Sequence, residues 1–355
     1  MSAAENIFIR GIGAVSPAGW GVLPLREALA KGEPWPTREL DRSGWARPFR
    51  VRRVPPPLPR PGFMSHPRLR RASPITQYAV AAALEALGGD VAGVKCGSFR
   101  LGVVLCVMTG CVNYSRRFYD ETLKDPASAS PLVFPETVFN APASHIAALL
   151  GTSAINYTLV GDPGTFLQGL ALGADWLLND RVDGCLVVGA EEMDWLTADA
   201  YRLFDRKVIL SEGAGAVYLR AESPAHPAVQ LHSVTQSHLF LLEQDRARAA
   251  RQMRAELHAG RPEHLLCDAT QGLQNVDGAE LEAWRDWPGT KLSPKWILGE
   301  GLAAASAWQC VAAIDTLRQR QHPVAIVSVV GCNQQAIGAR FVISNPKSQN
   351  SNPSE

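Results

Sequence analysis

Apolar residues fall into two alternating rhythms along this chain. Short, β-branched runs occur at NIFIRGIGAVS (6–16), LGVVLCVMTG (101–110), CLVVGAEE (185–192) and GAGAVYLRAE (213–222). Continuous apolar runs of this length predict strands buried on both faces. Between them lie segments of helical spacing: ITQYAVAAALEAL, SRRFYDETL, NAPASHIAALLG (140–151) and FLQGLALGADWLLND. Ser73-Pro74 supplies an N-cap and a first-turn proline for the first of these, which is small and apolar nearly all round and so predicts a buried helix. The rhythm resumes more loosely as a polar-faced helix, RARAARQMRAELHAG (246–260), a strand, HLLCDAT (264–270), a long helix, GLAAASAWQCVAAIDTLRQ (301–319), and the strands AIVSVVGC and ARFVIS. Strands alternating with helices give an α/β protein with buried sheets. GVVLCVMTG, helix and GAVYL echo HLLCDAT, helix and ARFVIS, which points to duplication.

Two stretches break the pattern. Residues 33–72, including RVRRVPPPLPRP, are dense in Pro and Arg and predict an irregular surface segment, either a solvated face or a docking surface for an acidic carrier. NPKSQNSNPSE (345–355) predicts a disordered tail. With 355 residues, 46% of them hydrophobic, the chain can bury a large core. The formal net charge of +1 provides no global field for nucleic acid. No apolar run approaches the ~20 residues that span a bilayer, and no basic-then-apolar leader opens the chain, so the expectation is a cytoplasmic protein. Seven cysteines, at 96, 106, 111, 185, 267, 310 and 332, form no CxxC pair and read as buried thiols, with no disulfide and no metal site.

Candidate chemistry centres on NYTLVGDPGT (156–165): a strand, a sharp Gly161-Asp162-Pro163-Gly164 turn, then a helix. Such a turn makes a nucleophile elbow, aiming a side chain at a helix N-terminus where the dipole lowers a thiol pKa and stabilises an oxyanion. This one carries no thiol. Asp162 reads as an N-cap and Pro163 as the first helical residue, so the turn reads as structural capping. Elsewhere, His145 reads as a core residue, Lys295 as the partner of a buried acid such as Glu300 or Glu191, and Cys111 as the one thiol near the expected cavity. Glu191 and Glu192, adjacent at a strand end, point to opposite sides and do not form one acid–base site.

These segments together resemble the β-ketoacyl-acyl-carrier-protein synthases of the thiolase fold. The resemblance rests on GIGAVSPAGWG (11–21), LRRASPITQYAVAAALEAL (69–87), FPETVFNAPASHIAALLG (134–151), NYT (156–158), GAEE (189–192), LSEGAGAVYL (210–219) and SPKWILGEGLAAASA around Lys295. It spans almost the whole chain, with residues 223–290 contributing least. It implies duplicated βαβαβαββ halves in a layered α-β-α-β-α sandwich, with an N-terminal half 1–222 including the elbow, a C-terminal half 223–344 and the tail 345–355. It also implies a cysteine nucleophile, two histidines and a lysine, and no cofactor. Carried over by position, the cysteine falls on Pro163, the first histidine on Ala269 and the second on Glu300. Only Lys295 is retained, and the Gly-rich gate is degraded to VVGCNQQAIG (329–338).

Without thiolate and imidazoles, acyl transfer and decarboxylation have no mechanism. The pattern resembles the chain-length factors of type II polyketide and aryl polyene systems. That resemblance implies an inactive subunit that pairs with an active ketosynthase as a heterodimer and meets acyl carrier protein through that complex. It also implies tunnel walls from Thr109, Cys111, Tyr114 and Phe118, with Phe134 and Phe139 near the interface. Two alternatives stay open: a condensing enzyme with a relocated nucleophile such as Cys111, and a non-catalytic homodimer that binds acyl chains or carrier protein.

Overall fold

The computed structural model describes residues 7–222, 227–258, 260–332 and 334–344; the tail expected at 345–355 lies outside them. The first half supplies strands β1 (Phe8–Ser16), β2 (Leu101–Val107), β3 (Asn156–Val160), β4 (Gly184–Glu191) and β5 (Gly213–Arg220). The second supplies β6 (Ala228–Val234), β7 (Leu265–Cys267), β8 (Thr290–Leu292), β9 (Val324–Val330) and β10 (Gln335–Ser344). They are hydrogen-bonded in the order β8-β7-β9-β10-β6-β1-β5-β4-β2-β3.

Within each half that order is third, second, fourth, fifth, first. The pairing directions repeat as well. In the first half β2 is parallel to β3 and β4, then β4–β5 and β5–β1 are antiparallel. In the second, β7 is parallel to β8 and β9, then β9–β10 and β10–β6 are antiparallel. The duplication suggested by weak sequence echoes is therefore complete at the level of topology. The halves join where β1 meets β6, at Phe8 and Gln230.

The principal helices are α1 (Pro74–Leu87), α2 (Val112–Lys124), α3 (Ala141–Leu150), α4 (Thr165–Leu178), α5 (Trp195–Tyr201), α6 (Glu243–Leu257), α7 (Gln274–Ala283) and α8 (Ala303–Arg318). α4 and α8 share one core with strands of both halves and form the middle layer. α1 and α3 cover the outer face of the first sheet, and α6 and α7 that of the second. The result is the layered α-β-α-β-α sandwich of the thiolase fold. α8 is apolar all round because sheets lie on both sides of it. Two of its polar side chains are tied internally: Trp308 Nε1 donates to Val15 O and Ala214 O at 3.0 Å each, and Gln309 Nε2 donates to Ser328 O at 3.0 Å. The Gly-Ile-Gly of β1 is a packing device. A Cβ on Gly11 or Gly13 would lie 1.6 Å from Ala86 O or 2.0 Å from Ala82 O of α1.

Several expectations are corrected. Residues 33–72 are more ordered than irregular: Arg38–Leu40 and Phe49–Arg52 pair with each other, and the latter with Leu210–Ser211. Ser73 occupies the N-cap of α1 without a side-chain cap; the carboxylate of Glu192 receives the Ile75 N–H instead, at 3.1 Å. His145 lies at the edge of the core with its side chain 12% exposed, and its Nε2 bonds Glu136 at 2.8 Å. Cys96 is exposed and Cys332 partly so, while the other five thiols are buried. β6, α5 and α7 were not read from the sequence at all. No helix among the described residues is long and apolar enough to cross a membrane.

Candidate functional site

The end of β3, the loop after β7, the short helix Pro294–Leu298 and the start of α8 converge between the two sheets. Lys295, on that short helix, is 3% exposed and its Nζ lies 2.7 Å from Glu300 Oε2, itself in a side chain 2% exposed. Glu300 is fixed from two further directions, by Gln271 Nε2 at 3.0 Å and by Leu302 N–H at 2.8 Å. The lysine thus pairs with Glu300 and not with Glu191. The positions of the expected lysine and second histidine meet in one buried ion pair.

The turn at Pro163 differs from the expected elbow. A nucleophile elbow needs a strained residue at the strand-to-helix junction, and proline is locked near φ −65°. The N-cap of α4 is Gly164, with ordinary φ −63° and ψ −18°. Asp162, expected as the N-cap, lies two residues earlier: Oδ1 accepts from Gly164 N–H at 3.0 Å and from Gln335 Nε2 at 2.9 Å. It is a clamp between the turn and β10, and burial pushes its carboxyl above the usual range. The strained geometry sits instead at Leu302, the N-cap of α8, with φ 52° and ψ −120°. α4 and α8 each follow the third strand of their half, so Leu302 occupies the equivalent place in the second repeat.

Ala269, at the first histidine position, presents only a methyl group. Its N–H donates to both oxygens of Glu280 at 3.2 Å. Ser328 Oγ also bonds Glu280, and Trp284 Nε1 donates to Ser328 Oγ at 2.9 Å. Burial, reinforced by the charge of Asp268, pushes Glu280 up to about 8. Asp277 accepts the N–H groups of Gln271 and Leu273 at 2.9 and 2.8 Å. Neither acid was singled out from the sequence; their signal is a polar pair at i and i+3 on α7, a spacing that also suits an exposed helix face.

The chemistry available here is limited. Pro163 has neither a nucleophilic atom nor an N–H to polarise a carbonyl. The Cys332 thiol feels some of these charges and is pushed up to about 12 by burial and by the carboxylates of Glu300 and Asp162. Cys111 caps α2 and is fully packed, its Sγ donating to Val138 O at 3.6 Å; burial and Glu192 push it up to about 12. Neither is a nucleophile near neutral pH. Among the described residues no group of His, Cys, Asp and Glu has the geometry to hold a metal ion.

Glu191 and Glu192 diverge as expected. Glu191 accepts from Met108 N–H, Thr109 N–H at 3.1 Å and Thr109 Oγ1 at 2.5 Å. Glu192 receives Ile75 N–H of α1 and, at 2.8 Å, Asn113 N–H of α2, so one carboxylate caps two helices. Burial pushes both up to about 7.

Of the remaining expected positions, Phe118 and Phe134 stack with ring centroids 5.4 Å apart, and the Phe139 ring covers Gly110, where a Cβ would meet it at 2.4 Å. Phe134 and Phe139 are about half exposed. Tyr114 borders an open depression with Arg117 and Glu121. In the single chain, Thr109, Tyr114, Phe118, Phe134 and Phe139 flank a surface shelf around α2, while Cys111 packs inward beneath it. The shelf lies on the same half as β3, the edge strand of the sheet, whose Tyr157 and Val160 are about half exposed.

Residues 4–225 match the β-ketoacyl synthase N-terminal domain. The chain belongs to the β-ketoacyl synthase family. No curated protein matches it. Among solved structures, it is similar to the ishigamide ketosynthase/chain length factor, with TM-score 0.78 and 20% identity, covering 95% of this chain and 99% of that one. It is also similar to the ketosynthase ApeO in complex with its chain length factor ApeC from Xenorhabdus doucetiae, with TM-score 0.76, 14% identity, and 96% and 98% of the two chains covered. A third similar structure is AntDE:AntF, a type II polyketide synthase acyl-carrier protein in complex with its ketosynthase, with TM-score 0.75, 14% identity, and coverage of 95% and 99%. At these identities the likeness establishes a shared fold.

Proposed function

We propose that this chain is a non-catalytic chain-length factor: it pairs with an active β-ketoacyl synthase and shapes the tunnel for a growing acyl or polyketide chain, in a polyketide, aryl polyene or fatty-acid-like system. The observation that carries this reading is the buried Lys295–Glu300 pair beside a proline at the nucleophile position. The space where a thioester would be attacked holds an internal ion pair, and the turn that would attack it has neither nucleophile nor donor. The high pKa values of Cys111 and Cys332 weigh against a relocated nucleophile.

Support for a partner comes from the edge. Among the described residues β3 pairs with β2 alone, and Tyr157, Val160, Phe134 and Phe139 expose apolar area on the same half of the fold. An unprotected edge strand with apolar neighbours invites pairing with another chain. In this reading the shelf of Thr109, Tyr114, Phe118, Phe134 and Phe139 becomes part of a tunnel wall only when the ketosynthase covers it. The solved complexes similar to this chain include a ketosynthase with its chain length factor and a ketosynthase with its acyl-carrier protein, consistent with both partners.

The same edge would serve a homodimer that binds acyl chains or carrier protein, so the deciding experiment is assembly. The chain is produced alone and with an active β-ketoacyl synthase, and light scattering and native mass spectrometry count the subunits. A one-to-one complex is expected. A stable homodimer that ignores the ketosynthase overturns the reading.

A further inference from the structure

One lysine and one arginine are buried among the described residues, Lys295 and Arg52. Lys295 has the carboxylate of Glu300 beside it. Arg52 is 7% exposed and forms no ion pair with any described residue. Its one side-chain hydrogen bond to a described residue runs from Nε to Trp35 O at 2.7 Å, which leaves both Nη groups to find other acceptors. Burial pulls the guanidinium below its usual pKa, and no carboxylate opposes that shift. A cation withdrawn from water in this way calls for a counter-charge.

The backbone fixes what stands next to Arg52. It ends the strand Phe49–Arg52 and is the parallel register partner of Ser211. The pair before it, Val51 and Leu210, packs with Phe49 in one apolar cluster. Side chains alternate along a strand, so Arg52 and Ser211 share the other side of this small sheet. Ser211 is fully buried, and its Oγ has no hydrogen-bond partner among the described residues. The turn Ile297–Gly299 closes over it: a Cβ on Gly299 would lie 3.3 Å from Ser211 Oγ. Main-chain bonds hold these pieces together. Trp35 N–H donates to Ile297 O at 2.7 Å, Ser211 N–H to Glu300 O at 2.9 Å, and Glu300 N–H to Ile209 O at 2.8 Å. The acid next in sequence, Glu212, is committed elsewhere, to Arg53 Nε and Val54 N–H at 3.2 Å each and Met193 N–H at 3.0 Å.

A buried hydroxyl beside a buried guanidinium, neither with an acceptor of negative charge, is a donor set for an anion. A water molecule would satisfy Ser211 Oγ and leave the charge of Arg52 unbalanced. A phosphate would bring more charge than one guanidinium matches, into a place where Ser211 is fully buried. We propose that Arg52 and Ser211 bind a single halide ion of chloride's size, the Nη groups and the Ser211 hydroxyl donating to it. Held there, the ion ties the strands Phe49–Arg52 and Leu210–Ser211 to the turn between Lys295 and Glu300. It gives Arg52 the counter-charge that Glu300 gives Lys295. The proposal stands apart from the chain-length reading, since it concerns this chain alone.

The test follows the thermal unfolding midpoint of the full chain as sodium chloride replaces sodium methanesulfonate at constant ionic strength. A saturable rise is expected. Ser211→Ala should shift its half-point to about 10-fold higher chloride, the loss of one hydrogen bond to a charged group, and Arg52→Gln should abolish it. Crystals of the parent soaked in sodium bromide should show an anomalous peak between Arg52 and Ser211, a readout that holds even where Arg52→Gln fails to fold. No peak at that place overturns the proposal. A peak with no saturable change in the midpoint assigns an adventitious ion only and overturns it too. So does a midpoint that rises linearly with chloride and equally in Arg52→Gln, which is a bulk salt effect.

Discussion

Lys295 and Glu300 give the sharpest test of the proposal that a structural ion pair plugs this site. Each side chain is at most 3% exposed and their closest atoms are 2.7 Å apart. At an effective dielectric of 20 the gross attraction is about 6 kcal/mol. Taking each ion out of water costs several kcal/mol, so the intact pair is close to neutral in net stability. Removing one partner forfeits the attraction and leaves the other charge buried. Lys295→Met should therefore destabilise by about 3 kcal/mol, the low end for a broken buried pair, because Gln271 Nε2 and Leu302 N–H still bond Glu300. Glu300→Leu should cost at least as much, since Glu300 is the carboxylate bonded to the ammonium. The double variant should return to within about 1 kcal/mol of the parent, giving a coupling of about 5 kcal/mol or more in a double-mutant cycle read by urea unfolding. Additive single effects, or single effects below about 1 kcal/mol, would show that the pair is hydrated and the site open, which would refute the plug.

The remaining predictions concern chemistry, acid response and assembly. Pro163→Cys should stay inactive: with Ala269 and Glu300 unchanged, neither acyl-thioester adducts nor malonyl decarboxylation should rise above background by mass spectrometry, and any decarboxylation would contradict the loss of mechanism argued here. Glu191 and Glu192, raised from 4.5 to about 7, bind protons in the folded protein over a window where the unfolded chain has released them. Stability contributed by the protonated forms is thus present near pH 4.5 and lost as pH rises to 7, by up to about 3 kcal/mol per group. The urea midpoint should be higher at pH 5.5 than at 7.5, and Glu192→Gln should flatten the difference. Tyr157→Asp with Val160→Asp on the edge strand should weaken the ketosynthase complex by about 100-fold, read by sedimentation, without changing the monomer's circular dichroism.

How much of this was legible in the sequence follows from where side chains are read locally. β1, β2, β4, β5, α1 and α3 announce themselves because buried parallel and central strands are continuous apolar runs and their covering helices are alanine-rich. β6 and α7 were missed for the opposite reason. β6, AVQLHSV, mixes buried and half-buried positions and lies within the poorly matching segment 223–290. α7, QNVDGAELEA, is polar; its Asp277 is buried against N–H groups of the loop just before it, and its Glu280 against the distant Ser328. The degenerate positions Pro163, Ala269 and Glu300 could be counted from flanking motifs, but their consequence could not. Proline's fixed φ predicts that no strained elbow can form at residue 163, and that part follows from one residue. The retention of a strained N-cap at Leu302, in the other repeat, does not. It shows that the duplicated strand-to-helix turn still demands an awkward junction where packing on α8 is intact. In the first repeat Gly164 opens α4 at ordinary angles, and Asp162 ties the loop to β10.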